Sequence, residues 1–212
     1  MSSPARLHRG EPKELQTLFL DDGKDPMHED EREPKLQELA IKIARTGARG
    51  VDFLVSCISQ ADELRLRAIL LAFSFVAKKL SSRKRASICE LASKLLHDNR
   101  PLVVAEAVDT MSSLGCQAAS DSILPLLKHS SPYVVGSALR YFARCNPQKA
   151  LPLLEKALRD KEPIVRQNAV DELDEMDYTP ALPKIKRLLH DPDDDVRQAA
   201  QTAVAHLENR SA

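Results

Sequence analysis

The sequence contains no tryptophan, only six glycines, and aromatic side chains at 4% of its 212 positions. A core without large rings is filled by Leu, Ala and Val, and the 43% hydrophobic content is enough to build one. That balance suits helices packed on helices. The scarcity of glycine argues against phosphate-cradling loops: there is no GxGxxG, no Walker loop and no GxSxG. The four cysteines, Cys57, Cys89, Cys116 and Cys145, are spread out and form no CxxC pair, so no secreted-type disulfide framework is expected. They read as reduced, buried, small hydrophobes, as in a cytosolic protein. Neither charge sign is in excess, with 31 basic and 31 acidic residues, and bulk attraction to nucleic acid or acidic lipid is not implied. The longest apolar run, Ala68–Ala77, is too short to cross a bilayer. The opening MSSPARLHRGEPKE has no apolar run and is no secretory signal. The expectation is a soluble, cytoplasmic protein with no membrane partner.

What the chain does have is a period. Between Leu95 and Leu207 the same chemistry returns every thirty-first residue: Leu96, Leu127, Leu158 and Leu189; Val103, Val134, Val165 and Val196; Ala107, Ala138, Ala169 and Ala200. Ala92, Ile123, Leu154 and Ile185 form a further apolar column, and Pro101, Pro132 and Pro163 recur two residues before the valine. A fixed period of this length marks stacked repeats. Each repeat reads as two helices, the first near 83–97, 118–128, 148–159 and 180–190, the second near 101–114, 132–145, 163–176 and 193–208. Pro152 and Pro183 sit early enough in a first helix to be tolerated, whereas Pro125 sits deeper and should bend or delay its helix. Asp98, Asp160 and Asp191 with their prolines mark the turns, and His129 takes the Asp column in the second copy. Asp160 and Asp191 with Arg166 and Arg197 predict a structural Asp–Arg ladder between turns. The alanine column brings helix axes close together, because only a methyl separates the backbones.

Upstream the pattern is looser. Residues 1–11 read as a flexible N-terminus, and Pro12–Leu20 reads as a short helix with Leu15, Leu18 and Phe19 on one face. Asp21–Pro34 is densely acidic and reads as a loop or locally disordered insert; its functional alternative is a docking tail for a basic partner. Lys35–Thr46 is an amphipathic helix closed by Gly47, and Val51, Leu54, Val55 and Ile58 mark another. Ala61–Leu80 is apolar on nearly all sides, which requires burial on more than one face. The spacing from Leu66 to Val103 is 37, not 31, so 12–80 reads as degenerate repeats carrying the insert 21–34. Residues 81–212 read as four regular repeats in one continuous solenoid domain.

The segments ALRDKEPIVRQNAVDEL (Ala157–Leu173) and LLHDPDDDVRQAAQTAVAHL (Leu188–Leu207) resemble short HEAT-like repeats. These are the variant of about thirty residues found in phycobiliprotein chromophore lyases and in deoxyhypusine hydroxylase. The resemblance implies an all-α, right-handed α-solenoid (superhelix) of HEAT-like helical hairpins, with the second helices lining its concave face. It does not settle function, because such repeats serve scaffolds, adaptors, lyases and a few enzymes. The hydroxylases hold a di-iron centre through repeated His-Glu pairs. Here the one such pair is His28-Glu29, inside the acidic insert, which argues against that centre.

No catalytic, cofactor-binding or metal-ligating set emerges. His97 and His190 share a column at the ends of first helices, where the helix dipole accounts for them, and the acidic pairs of 171–175 read as a solvated face. What remains is surface. Tyr133, Arg140, Tyr141 and Arg144 fall on or beside one face of a second helix, and Tyr and Arg are the residues that most often anchor interfaces. The leading expectation is a non-enzymatic scaffold or adaptor that binds another protein on its concave face. One alternative is a nucleic-acid-binding repeat protein using the basic patch Lys78, Lys79, Arg83, Lys84 and Arg85 with Arg140 and Arg144. Another is a lyase- or chaperone-like protein acting on a cofactor-bearing partner.

Overall fold

The computed structural model describes residues 11–21 and 29–211; residues 1–10 of the expected flexible N-terminus and 22–28 of the acidic insert lie outside them. Among the described residues there are twelve α-helices, short 3-10 turns and no strand. The chain divides into two compact units, Met1–Ile88 and Cys89–Ala212.

The first unit contains α1 (Glu11–Asp21), α2 (Glu29–Arg45), α3 (Ala48–Cys57) and α4 (Glu63–Val76), and the start of α5 (Ser82–Lys94). The expected loop over 21–34 needs correcting. Residues 29–34 are already helical, and Pro34 sits inside α2. The physical reason lies in pairing across to α4, where Glu33 holds Arg67 at 2.7 Å and Arg32 holds Asp62 at 2.5 Å. Those ion pairs offset part of the cost of the one backbone donor that proline removes. Apolar α4 buries Leu66, Ile69, Leu70, Phe73 and Val76. Phe19 of α1 is buried as well, with the Arg65 guanidinium over its ring at 5.6 Å and Arg65 Nε donating to its carbonyl at 3.2 Å.

In the second unit the repeats follow the thirty-one-residue register. The second helices are α6 (Pro101–Leu114), α8 (Pro132–Cys145), α10 (Pro163–Glu175) and α12 (Asp194–Ser211). Between them run α7 (Ser120–Ile123), α9 (Pro147–Ala157) and α11 (Leu182–Ile185). The valine and alanine columns are the seam, with none of their eight residues more than 1% exposed. Pro101, Pro132 and Pro163 each occupy the first helical position, where no backbone donor is needed. The residue before each is extended, as a following proline requires. The Asp column sets the turns: the side chains of Asp98, Asp160 and Asp191 accept from the backbone N–H two residues on at 2.9–3.0 Å, and His129 Nδ1 does so in the second copy at 3.0 Å. The Asp–Arg ladder is present as well. Arg166 grips Asp191 with two bonds of 2.6 and 2.8 Å and donates to the Asp160 carbonyl at 2.9 Å, while Arg197 donates to the Asp191 carbonyl at 2.6 Å. At Pro125 the helix gives way to a 3-10 coil, Leu124–Lys128.

The cysteines also depart from expectation. Cys89 and Cys116 are joined in a disulfide, whereas Cys57 and Cys145 are free thiols. The pairing is invisible in sequence spacing because the two partners stand 27 residues apart. A left-handed Gly115 closes α6, with the Gly115 and Cys116 N–H groups returning to Ser112 and Met111, and this reversal carries Cys116 back to α5. Burial pushes the Cys57 and Cys145 thiols up, so these two stay protonated and unreactive near neutrality.

Candidate protein-interaction face

The surface of the second unit is organised by pairs that lie about one repeat apart, so each links a second helix to the next. Arg140, on α8, is the centre. Its Nη1 donates to Asp109 of α6 at 2.9 Å, its Nε to Glu172 of α10 at 3.1 Å, and its Nη2 to Asn168 Oδ1 at 2.7 Å. Ser137 donates to the other Asp109 oxygen at 2.9 Å, and Asn168 donates to the Ile164 carbonyl at 2.6 Å. Burial works to lower the Arg140 pKa, but the Asp109 and Glu172 carboxylates outweigh it and raise it, so the guanidinium is held charged. Glu172 shows the opposite balance. Its side chain is only 4% exposed, and burial pushes its carboxyl up despite Arg140.

The ladder continues along the same face. Arg144 reaches Glu175 at 3.6 Å, and His206 of α12 lies 2.8 Å from Asp174. Arg210 reaches Asp177 at 2.8 Å. The sign of charge therefore alternates helix by helix, from Asp109 to Arg140 and Arg144, then the α10 carboxylates, then Arg210. The four residues singled out from sequence are each placed differently. Tyr133 is 57% exposed and stands at the start of α8. Arg144 is 44% exposed and tied to one carboxylate at long range. Arg140 is partly buried and engaged on three sides.

Tyr141 does not belong to this surface. It is fully buried, packs edge-on against Phe142, and donates its hydroxyl to the Cys116 carbonyl at 2.7 Å. One residue along a helix turns the side chain by about 100 degrees, which carries position 141 from the solvent face towards the seam. Glu172, read from sequence as part of a solvated acidic face, is instead buried and takes the Arg140 Nε, because the guanidinium draws this carboxylate in between the helices.

The basic patch lies in the first unit. Lys84 is bound to Asp52, while Lys78, Lys79 and Arg83 are exposed. Arg83, Lys84 and Arg85 open α5, whose first turn carries no acidic residue. Among the described residues no three His, Cys, Asp or Glu side chains converge as a metal site, and no helix is long and apolar enough to cross a membrane. His28 lies outside the described residues.

The fold and this face define a helical-repeat protein that presents a charge-striped surface on its second helices. Residues 120–205 match the family of HEAT repeats. YibA of Escherichia coli is 17% identical over 99% of this chain and 78% of its own, with a TM-score of 0.62. An engineered protein is 18% identical over 94% and 97%, with a TM-score of 0.53. The complex of CpcE and CpcF of phycocyanin lyase from Nostoc sp. PCC7120 is 15% identical over 98% and 97%, with a TM-score of 0.51. At these identities the likeness is one of fold, and the fold is the all-α helical-repeat class. No curated protein matches the chain.

Proposed function

We propose that this chain is a HEAT-repeat scaffold or adaptor that binds a partner protein on the face of α6, α8, α10 and α12. The observation that carries this is the pairing of a rigid, cross-linked ladder with the exposed Tyr133 and Arg144 above it. A surface whose side chains are already fixed by cross-helix bonds loses little entropy when a partner settles on it. An exposed Tyr at one end of α8 and an incompletely neutralised Arg at the other supply the anchor types that dominate interfaces. The stripes suit a partner of mixed charge, with acidic groups meeting Arg144 and basic groups meeting Glu175 and Asp171.

The test is affinity capture from native lysate, with and without nuclease, using wild type and Tyr133→Ala/Arg144→Glu as baits. Arg140 is left intact because it holds three helices together. A protein retained after nuclease treatment and lost with the double variant is the expected result. A partner held equally by both baits would overturn the choice of surface. Capture that disappears with nuclease, or falls steeply with salt, would shift the reading to Lys78, Lys79 and Arg83, whose exposure favours a nucleic-acid alternative.

A further inference from the structure

The first-helix side of the second unit carries a groove that the ladder does not use. Where α7 stops and the chain tightens into the 3-10 coil Leu124–Lys128, the segment has three residues per turn and a narrower profile. The groove between that coil and α9 has a volume of about 1060 Å³. Leu127, Val135 and Leu153 are its half-buried apolar lining, with Leu139 and Val165 buried beneath them, and Leu124, at its lip, is 49% exposed. Val135 and Leu139 lie on the side of α8 away from Tyr133, Arg140 and Arg144, as the helical rotation between these positions requires. The groove and the ladder are therefore separate surfaces.

The rim of the groove is basic. Lys128, Lys156 and Arg159 line it and have no carboxylate at ion-pair distance among the described residues, whereas Lys184 is held by Glu155 at 2.5 Å. The remaining lining acid, Asp160, accepts the Glu162 N–H. Apolar surface of this kind gains free energy when covered, and unneutralised cations around it select for negative charge in whatever covers it. Nucleic acid is disfavoured because no lining residue is aromatic, so bases have nothing to stack on. A basic segment would meet like charge.

We propose that this groove docks an acidic amphipathic segment of a partner protein, its apolar side chains on the floor and its carboxylates against Lys128, Lys156 and Arg159. The site is additional to the second-helix face and stands independently of it.

A random-peptide library selected on the full-length chain tests this, with fluorescence anisotropy of the enriched peptides on wild type and variants. The expected winners carry net negative charge and several apolar positions, and their affinity falls with salt. Leu124→Glu/Lys156→Glu should weaken them at least tenfold, while Tyr133→Ala/Arg144→Glu leaves them unchanged. Should the first variant not fold, Lys128→Gln/Lys156→Gln/Arg159→Gln carries the same expectation without placing a charge on the apolar lip. Peptides that are basic or neutral, that bind the groove variants as well as wild type, or that fail to enrich at all would overturn the proposal. So would a concentration-dependent dimer in sedimentation that Leu124→Glu/Lys156→Glu abolishes, since the occupant would then be a second copy of this chain.

Discussion

Asp191 accepts two bonds from the buried Arg166, and that grip holds its carboxyl below the usual carboxylate range. A depressed folded pKa adds stability that is present above the unfolded value, about 3.9 for Asp, and is lost as pH falls through the folded one. Glu172 runs the other way. Burial raises its carboxyl, so its contribution is complete below the unfolded value, about 4.3 for Glu, and is lost as pH rises through the folded one. Two outcomes are expected from urea unfolding measured between pH 3 and 8. Asp191→Ala destabilises by about 3 kcal/mol at neutral pH, because it leaves a buried guanidinium without its carboxylate, and the loss shrinks in acid. Glu172→Gln gains on wild type as pH rises from 4 to 7. A Glu172→Gln curve parallel to wild type would show that burial does not control this carboxyl.

At the scale of the element, α8 is held by a glycine that looks out of place. Gly136 sits mid-helix, where glycine costs about 1 kcal/mol relative to alanine. A Cβ there would lie 2.8 Å from Asn168 Nδ2 and 3.0 Å from its Cγ. Asn168 is the same side chain that accepts from Arg140 and donates to the Ile164 carbonyl, so it can move only by breaking the ladder. Gly136→Ala should therefore destabilise by about 1 kcal/mol despite its better helix propensity, the lost hydrogen bonding outweighing the gain. In an Asn168→Ala background the same change should become stabilising. A double-mutant cycle by urea denaturation measures the reversal, and additive effects would show that α8 and α10 do not meet through this pair.

For the molecule as a whole, the Cys89–Cys116 bond ties α5 to the turn after α6 within the second unit. Closing a chain segment of 27 residues restricts the unfolded state by about 3.5 kcal/mol in the chain-entropy treatment. Such a bond persists in oxidising surroundings and is lost in reducing ones, so the stability of this unit should follow the redox state. All three tyrosines, Tyr133, Tyr141 and Tyr178, lie in the second unit and there is no tryptophan, so tyrosine fluorescence reports its unfolding alone. Cys89→Ser, or treatment with a thiol reductant, should shift that transition to lower denaturant by an amount matching a few kcal/mol. An unchanged midpoint would mean that the packing of α5 and α6 already supplies the restraint.

The repeat was legible because it is written in local chemistry. Proline at a helix start, Asp two residues ahead of a turn N–H, and alanine where backbones meet each act within a few residues, and stacking neighbours made the same choices recur every thirty-one positions. By itself the sequence thus determined the hairpins, their turns, the valine–alanine seam and the Asp–Arg ladder. Only the tertiary structure decided which exposed-looking residues stay exposed. Tyr141 turns inward because its hydroxyl finds the Cys116 carbonyl, and Arg140 is drawn into three helices by Asp109, Asn168 and Glu172. The helical start of α2 depends on Arg67 and Asp62, some thirty residues away. The disulfide arises where a first helix meets the turn after its own second helix, and the groove where segments from neighbouring repeats meet. Each depends on distances between side chains that the chain brings together only by folding, and a linear period carries no record of those distances.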